Sequence, residues 1–260
     1  MSPLSPPALR WWLCVCVAVL VGACDGAIPV APAAPTALAQ PMLPLSSSTG
    51  RATQDVIEAL FFGTGPLARS DNPGCDTTLQ RMRGWPRGSR VRVVAYASVD
   101  AERRESVKRT LEQAGQALHN TVTTEYQQRD ELDQPDGSPE NEISVFAVAA
   151  AKAPALCGIS AANCQVVRYN AGAYVGSRVI LSTPFAPASD GIVAHEMGHA
   201  FGLCHIDPTR AGLEPTFSVM GNSAAGRWTA SDMEAIRLVY GAGLSPADPR
   251  QRFVAAGLIE

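Results

Sequence analysis

The sequence predicts an α/β fold of the α+β kind, and three observations carry that reading. Short β-rich segments flank a long amphipathic helical pattern, a later helical stretch carries two histidines one turn apart, and a capped helical pattern follows near the end. In order along the chain, a helical pattern runs from about Asp55 to Phe62. Residues 63–88 are punctuated by Gly and Pro and read as irregular. Val91–Ala97 is β-rich and predicts a strand. Asp100 stands where it can N-cap a helix that gathers Val107, Leu111, Ala114 and Leu118 on one face. An acidic loop from Asp130 to Glu142 then precedes a buried strand at Ile143–Ala149, with shorter strands expected at Gln165–Tyr169 and Arg178–Ser182. A helix from about Ser189 to Gly202 follows. The last helix starts near Thr229, where Thr-Ala-Ser-Asp offers a capping start, and runs to Tyr240. No internal repeat interrupts this plan.

The chain has 260 residues, 46% hydrophobic and 17% charged, which suits one globular domain behind an N-terminal processing region. Its net charge of -3, with no basic cluster interleaved with aromatics, argues against nucleic acid as a partner. Arg10 precedes an apolar run, Trp11–Val21, that is too short for a permanent bilayer span. The run ends in Val21-Gly22-Ala23-Cys24, which resembles a bacterial lipobox. That resemblance implies a lipid on Cys24 and membrane anchoring; an ordinary signal peptide cut nearby is the alternative. Either way export is expected, to the periplasm or cell surface as a lipoprotein, or else as a secreted protein. The expected organisation is a signal peptide over residues 1–23, a Pro/Ala/Ser-rich tether over 24–54 and one domain over 55–260.

Of seven cysteines, Cys14 and Cys16 lie in the apolar run and Cys24 is the lipid candidate. Cys75, Cys157, Cys164 and Cys204 remain. An even number in an exported domain suggests two disulfides, with three connectivities open. Cys157 and Cys164 flank a short Gly- and Asn-containing segment suited to a local loop, which would leave Cys75 for Cys204.

The chemistry concentrates in His195-Glu196-Met197-Gly198-His199-Ala200-Phe201-Gly202-Leu203-Cys204-His205. At about 100° per residue, His195 and His199 fall on one face of a helix, while Val193, Met197 and Ala200 face the core. Gly202 permits the turn that ends the helix, and His205 can swing back as a third ligand. Three neutral imidazoles suit zinc and leave a fourth position for water. Glu196 projects beside them, where a carboxylate can serve as general base.

This His-Glu-x-x-His-x-x-Gly-x-x-His spacing resembles the signature of the metzincin metallopeptidases. The resemblance implies that His195, His199 and His205 hold one catalytic Zn²⁺ and that Glu196 is catalytic. Ser218-Val219-Met220 resembles the family's Met-turn, in which Met220 would form a soft floor beneath the imidazoles; ordinary core packing is the alternative. A mixed twisted sheet, backing helix, active-site helix and C-terminal helix can be laid over residues 90–241. Val193-Ala194, Gly202-Leu203 and Ser231-Asp232-Met233…Tyr240-Gly241 look closest to matrixin-like members. Asn222 stands where astacin-like members carry a tyrosine ligand, and Ile206 fits no usual subgroup marker, so no subfamily is assigned.

The expected activity is zinc-dependent hydrolysis of peptide bonds in a peptide or protein substrate by a monomer. That substrate would lie along an edge strand near Arg178–Ser182, with a specificity pocket between Gly221 and Trp228. Two rivals use the same residues: a zinc-binding surface lipoprotein without turnover, and a zinc amidase acting on cell-wall peptide. His119 reads as a helix-end residue. Cys204 reads as a disulfide partner or a buried thiol rather than a ligand, and Cys75 matches poorly the inhibitory cysteine of matrixin pro-segments. Glu214 and Glu234 are dispensable as third ligands. The acidic loop of Asp130, Glu131, Asp133, Asp136, Glu140 and Glu142 could hold Ca²⁺, although it lacks an EF-hand spacing.

Overall fold

Parallel strands need crossovers, and here the first crossover is the amphipathic helix read from the sequence. The computed structural model describes residues 47–69, 75, 81–118, 121–131, 136–159, 161–170, 172–184, 190–221 and 225–260, with the backbone alone over 47–52. The chain divides into two compact units, Met1–Pro44 and Leu45–Glu260, and all described residues belong to the second. Cys24, the tether up to residue 46 and His119 lie outside the described residues. No described helix is long and apolar enough to cross a membrane.

The elements are α1 (Ser47–Phe62), β1 (Arg90–Ala95), α2 (Ala101–Ala117), β2 (Thr123–Gln128), β3 (Glu142–Ala149), α3 (Ala153–Cys157), β4 (Cys164–Asn170), β5 (Ala173–Thr183), α4 (Asp190–Ala200), α5 (Ala230–Gly241) and α6 (Arg250–Ala255). Two 3₁₀ turns, Pro208–Ala211 and Pro215–Phe217, lie between α4 and α5. The five strands form one sheet in the order β2-β1-β3-β5-β4. β1, β2, β3 and β5 run parallel, and β4 is antiparallel to β5.

The α/β reading therefore holds. Asp100 does cap α2, its carboxylate accepting from the Arg103 N–H. α2 buries Val107, Leu111 and Ala114 as the periodicity predicts. Val91 and Val93 of β1 and Ile143, Val145 and Ala147 of β3 join that core on one face of the sheet, together with residues of α1, α4 and α5. The opposite face carries a smaller cluster of Val94, Tyr96, Phe146, Cys164 and Ile180, with Leu156 of α3 packed against it.

Three expectations are corrected. α1 starts at Ser47 rather than Asp55, so the tether cannot extend to residue 54. Its first residues are Ser, Thr and Gly, which carry no apolar periodicity and continue a helix whose packing residues lie later. Arg178–Ser182 is not at an edge: it lies inside β5, between β3 and β4. The edge strand on that side is β4, because the chain doubles back to pair with β5. Glu142 belongs to β3, not to the acidic loop, and is buried, with Arg92 and Arg129 at 3.4 and 3.6 Å. β2, α3 and α6 were not foreseen; Thr123–Gln128 is polar on both faces, and the two helices are too short for a period to show.

Both disulfides follow the sequence reading. Cys157 and Cys164 tie α3 to β4 across a separation of 7, and Cys75 joins Cys204 across a separation of 129. The long closure constrains the unfolded chain far more than the short one. Replacing Cys75 and Cys204 together by alanine is expected to cost roughly 2–5 kcal/mol. Denaturant unfolding of the parent and the double variant checks this, and an unchanged midpoint would refute it.

Candidate metal centre

α4 is built to hold its histidines at a fixed height. Its N-terminal Asp190 is held by Arg109 at 2.7 Å, and the Ser106 hydroxyl donates to the Asp190 carbonyl. At its C-terminus the Gly202 N–H donates to His199 O at 2.9 Å and the Leu203 N–H to Gly198 O at 3.0 Å, closing a left-handed cap. Gly202 has φ +95°, and a Cβ there would lie 2.4 Å from Arg83 O, so both conformation and space demand glycine. Two tryptophans clamp the helix backbone: Trp85 Nε1 donates to Ala200 O at 2.9 Å, and Trp228 Nε1 to Ala194 O at 3.0 Å.

Beyond Gly202 the chain turns back and is tied on both sides of His205. The Cys204 N–H donates to Leu60 O at 2.7 Å, and its sulfur is bonded to Cys75. The Ile206 N–H donates to Met220 O at 3.3 Å, and Ile206 also bridges Ala68. His205 has little freedom left. Its Nε2 lies 2.9 Å from His195 Nε2 and 3.0 Å from His199 Nε2.

The proton positions follow from the partners. His195 Nδ1 donates to Val219 O at 2.8 Å and His199 Nδ1 to Leu203 O at 2.7 Å. A carbonyl can only accept, so both protons sit on Nδ1 and both Nε2 atoms present lone pairs. Burial lowers the pKa of His195 and, more strongly, of His199, which keeps the rings neutral. His205 Nε2 can donate to at most one neighbour, so at least one contact sets lone pair against lone pair. A cation at the meeting point removes that repulsion. Zinc–nitrogen bonds of about 2.0–2.1 Å in a tetrahedral site require nitrogens roughly 3.3 Å apart, a few tenths of an ångström beyond the separations here. The three histidines therefore fit a zinc ion. Among the described residues they are the grouping of ligand side chains that could hold a metal.

The floor of the centre is a turn fixed from α5. Asp232, fully buried, accepts from the Ser218 hydroxyl, from the Val219 N–H at 3.0 Å and from the Thr229 N–H at 2.9 Å. Burial raises the Asp232 carboxyl, and the hydrogen bonds oppose the rise. Because the Val219 carbonyl orients His195, Asp232 acts on that ring through one residue, Val219. Met220 is buried beneath the helix; a Cβ on Gly198 would lie 2.3 Å from its Sδ.

Glu196 stands at the junction of two cavities. One, of about 330 Å³, is mostly apolar and includes Tyr174, Leu203, His199 and three of the disulfide cysteines in its lining. The other, of about 410 Å³, is more polar, and Arg69, Ile192, His195 and Gly221 contribute to it. Glu196 is 7% exposed, and burial pushes its carboxyl up to about 8.

The histidines, Glu196 and Met220 thus come together as the spacing indicated. Cys75 and Cys204 are engaged with each other beside the site. Glu214 and Glu234 stay outside it, Glu234 pairing with Arg237. In the acidic loop, Asp133 lies outside the described residues, Glu140 faces Arg168 at 3.7 Å, and no calcium-type cluster forms among the described residues. Asn222 and the stretch to 224, part of the expected specificity pocket, lie outside the described residues. Sequence reasoning missed Arg69, Asn163, Tyr174 and the orienting role of Asp232. The capping start at Thr229 was a signal for Asp232; nothing local marks the other three. Comparison with known proteins finds no match to a family model, a curated protein or a solved structure.

Burial of an acid with a raised pKa makes a pH prediction. The folded chain prefers Glu196 protonated, so stability is lost as pH rises from the ordinary value of 4.5 toward about 8. With metal chelated, Glu196→Gln should melt together with the parent near pH 4 and above it at pH 8, by on the order of a few kcal/mol. Coincident melts at both pH values would show that the carboxyl carries no such cost. A second expectation concerns the floor: Gly198→Ala collides with Met220 and should cost about 1–3 kcal/mol, measured by thermal unfolding.

Proposed function

We propose that the protein is a zinc-dependent peptidase that hydrolyses peptide bonds, with Glu196 as general base. The observation that carries this reading is three imidazole Nε2 atoms converging beside the buried Glu196 carboxyl at the junction of two cavities. His195, His199 and His205 would hold the ion through Nε2. When bound, zinc supplies Lewis acidity toward water and a substrate carbonyl.

The remaining steps belong to the chain. His195 and His199 keep their orientation because their Nδ1 protons are committed to carbonyls, which also raises the basicity of Nε2. Glu196 takes the proton of the attacking water and returns it to the leaving amine. Burial makes it a stronger base than an exposed carboxylate, and a cation held by the three histidines would offset part of that rise and favour the ionised form. Among the described residues β4 is the edge strand on this side of the sheet, and an extended peptide would pair along it, replacing the expected role of Arg178–Ser182. The two cavities then take side chains on either side of the cut. Two disulfides agree with export, and lipid anchoring through Cys24 remains part of the proposal.

Metal content and peptide hydrolysis, measured side by side for the protein and its Glu196→Ala variant, test the reading. Both should bind one zinc, while the variant loses about 10²–10⁴-fold in kcat. Zinc binding with no hydrolysis of any peptide by the parent would favour a zinc-binding lipoprotein. Turnover confined to cell-wall peptide would identify an amidase. A folded parent that binds no zinc would end the proposal.

A further inference from the structure

Among the described residues, the two lobes of the cleft share three lining residues: Glu196, His205 and Asn163. The first two have roles under the peptidase reading; Asn163 has none, although it stands where the lobes meet. Its Oδ1 accepts the Ser182 N–H at 2.9 Å. A main-chain N–H can only donate, so the carboxamide has one orientation, with its oxygen toward β5 and its NH₂ group turned away. No described residue accepts a hydrogen bond from that NH₂ group. The support is rigid: Ser182 lies in the interior strand β5, and the next residue, Cys164, is bonded to Cys157.

Other donors in the cleft are less well placed. Gln165 Nε2 is engaged by the Ser177 hydroxyl at 2.9 Å. Arg69 lines the polar lobe alone, and Tyr174 the apolar lobe alone. Asn163 is the non-ligand N–H donor common to both.

We propose that Asn163 is a catalytic hydrogen-bond donor: its Nδ2 N–H binds the carbonyl oxygen of the peptide bond being cut. The inference rests on the peptidase reading above. A donor fixed in place before reaction strengthens its bond as negative charge gathers on that oxygen, without any reorganisation at the moment of attack.

Two substitutions in the full, zinc-loaded protein separate a donor from a strut. Asn163→Asp keeps an acceptor for the Ser182 N–H and removes the donor; Asn163→Ala removes both. If Asn163 donates to the substrate, both variants lose about 10²–10³-fold in kcat, with KM within a few-fold of the parent. Zinc stoichiometry is unchanged in both, and Asn163→Asp keeps the parent Tm. Affinity for a phosphinic peptide, a tetrahedral mimic of the reacting carbonyl, falls in step with kcat. The alanine variant adds no charge, so its loss excludes repulsion of Glu196 as the cause. If Asn163→Asp matches the parent in kcat and phosphinic-peptide affinity, while Asn163→Ala loses Tm and activity together, the residue is a strut and the proposal is overturned. A parent that cleaves no peptide sinks both readings; a parent that cleaves, with an unaffected aspartate variant, sinks this one alone.

Discussion

Three imidazole Nε2 atoms, at least two of them presenting lone pairs, are forced into one small volume, and much of the molecule serves to hold them there. The Nδ1 protons of His195 and His199 are tied to carbonyl oxygens and burial keeps those rings neutral, so a proton on His205 Nε2 relieves at most one of the two contacts. The backbone that carries His205 is fixed on either side, through Cys204 and Ile206. A shared cation would satisfy all three at once, and the three histidines are grouped closely enough to hold one.

The anchors come from every layer of the fold. α1 contributes the Leu60 carbonyl, α5 contributes Asp232, and the segment before β1 contributes Trp85. Asp232 holds the turn whose Val219 carbonyl aims His195, so the final helix and the metal helix are linked through one carboxylate. Such coupling holds His205, Val219 and Met220 in place although they lie in the connection between α4 and α5 rather than on a regular element.

How much of this could be read beforehand depended on the range of the interaction. Spacing within one helix is local, so His195, Glu196 and His199 were legible, and so was the capping start that placed Thr229 and Asp232. The α2 face and the buried β3 strand were legible from apolar period. What failed was order in the sheet: Arg178–Ser182 looked like an edge because nothing in a single strand says whether a neighbour will fold back to cover it. Glu142 was misread because a charge in an acidic run looks solvated until the facing strand and the loop after β2 supply Arg92 and Arg129. Asn163 and Arg69 were invisible for the same reason. Their meaning lies in the cavity they line, and that cavity is made by residues far apart in the chain.

The bond between Cys75 and Cys204 has a topological consequence. All five strands, with α2, α3 and α4, lie between these two residues, inside a single covalent ring. A backbone cut at any one point of that ring opens the loop but does not divide the molecule. The fragments stay joined across the seam beside His205, so the sheet and the histidine helix remain parts of one covalent body after a single nick.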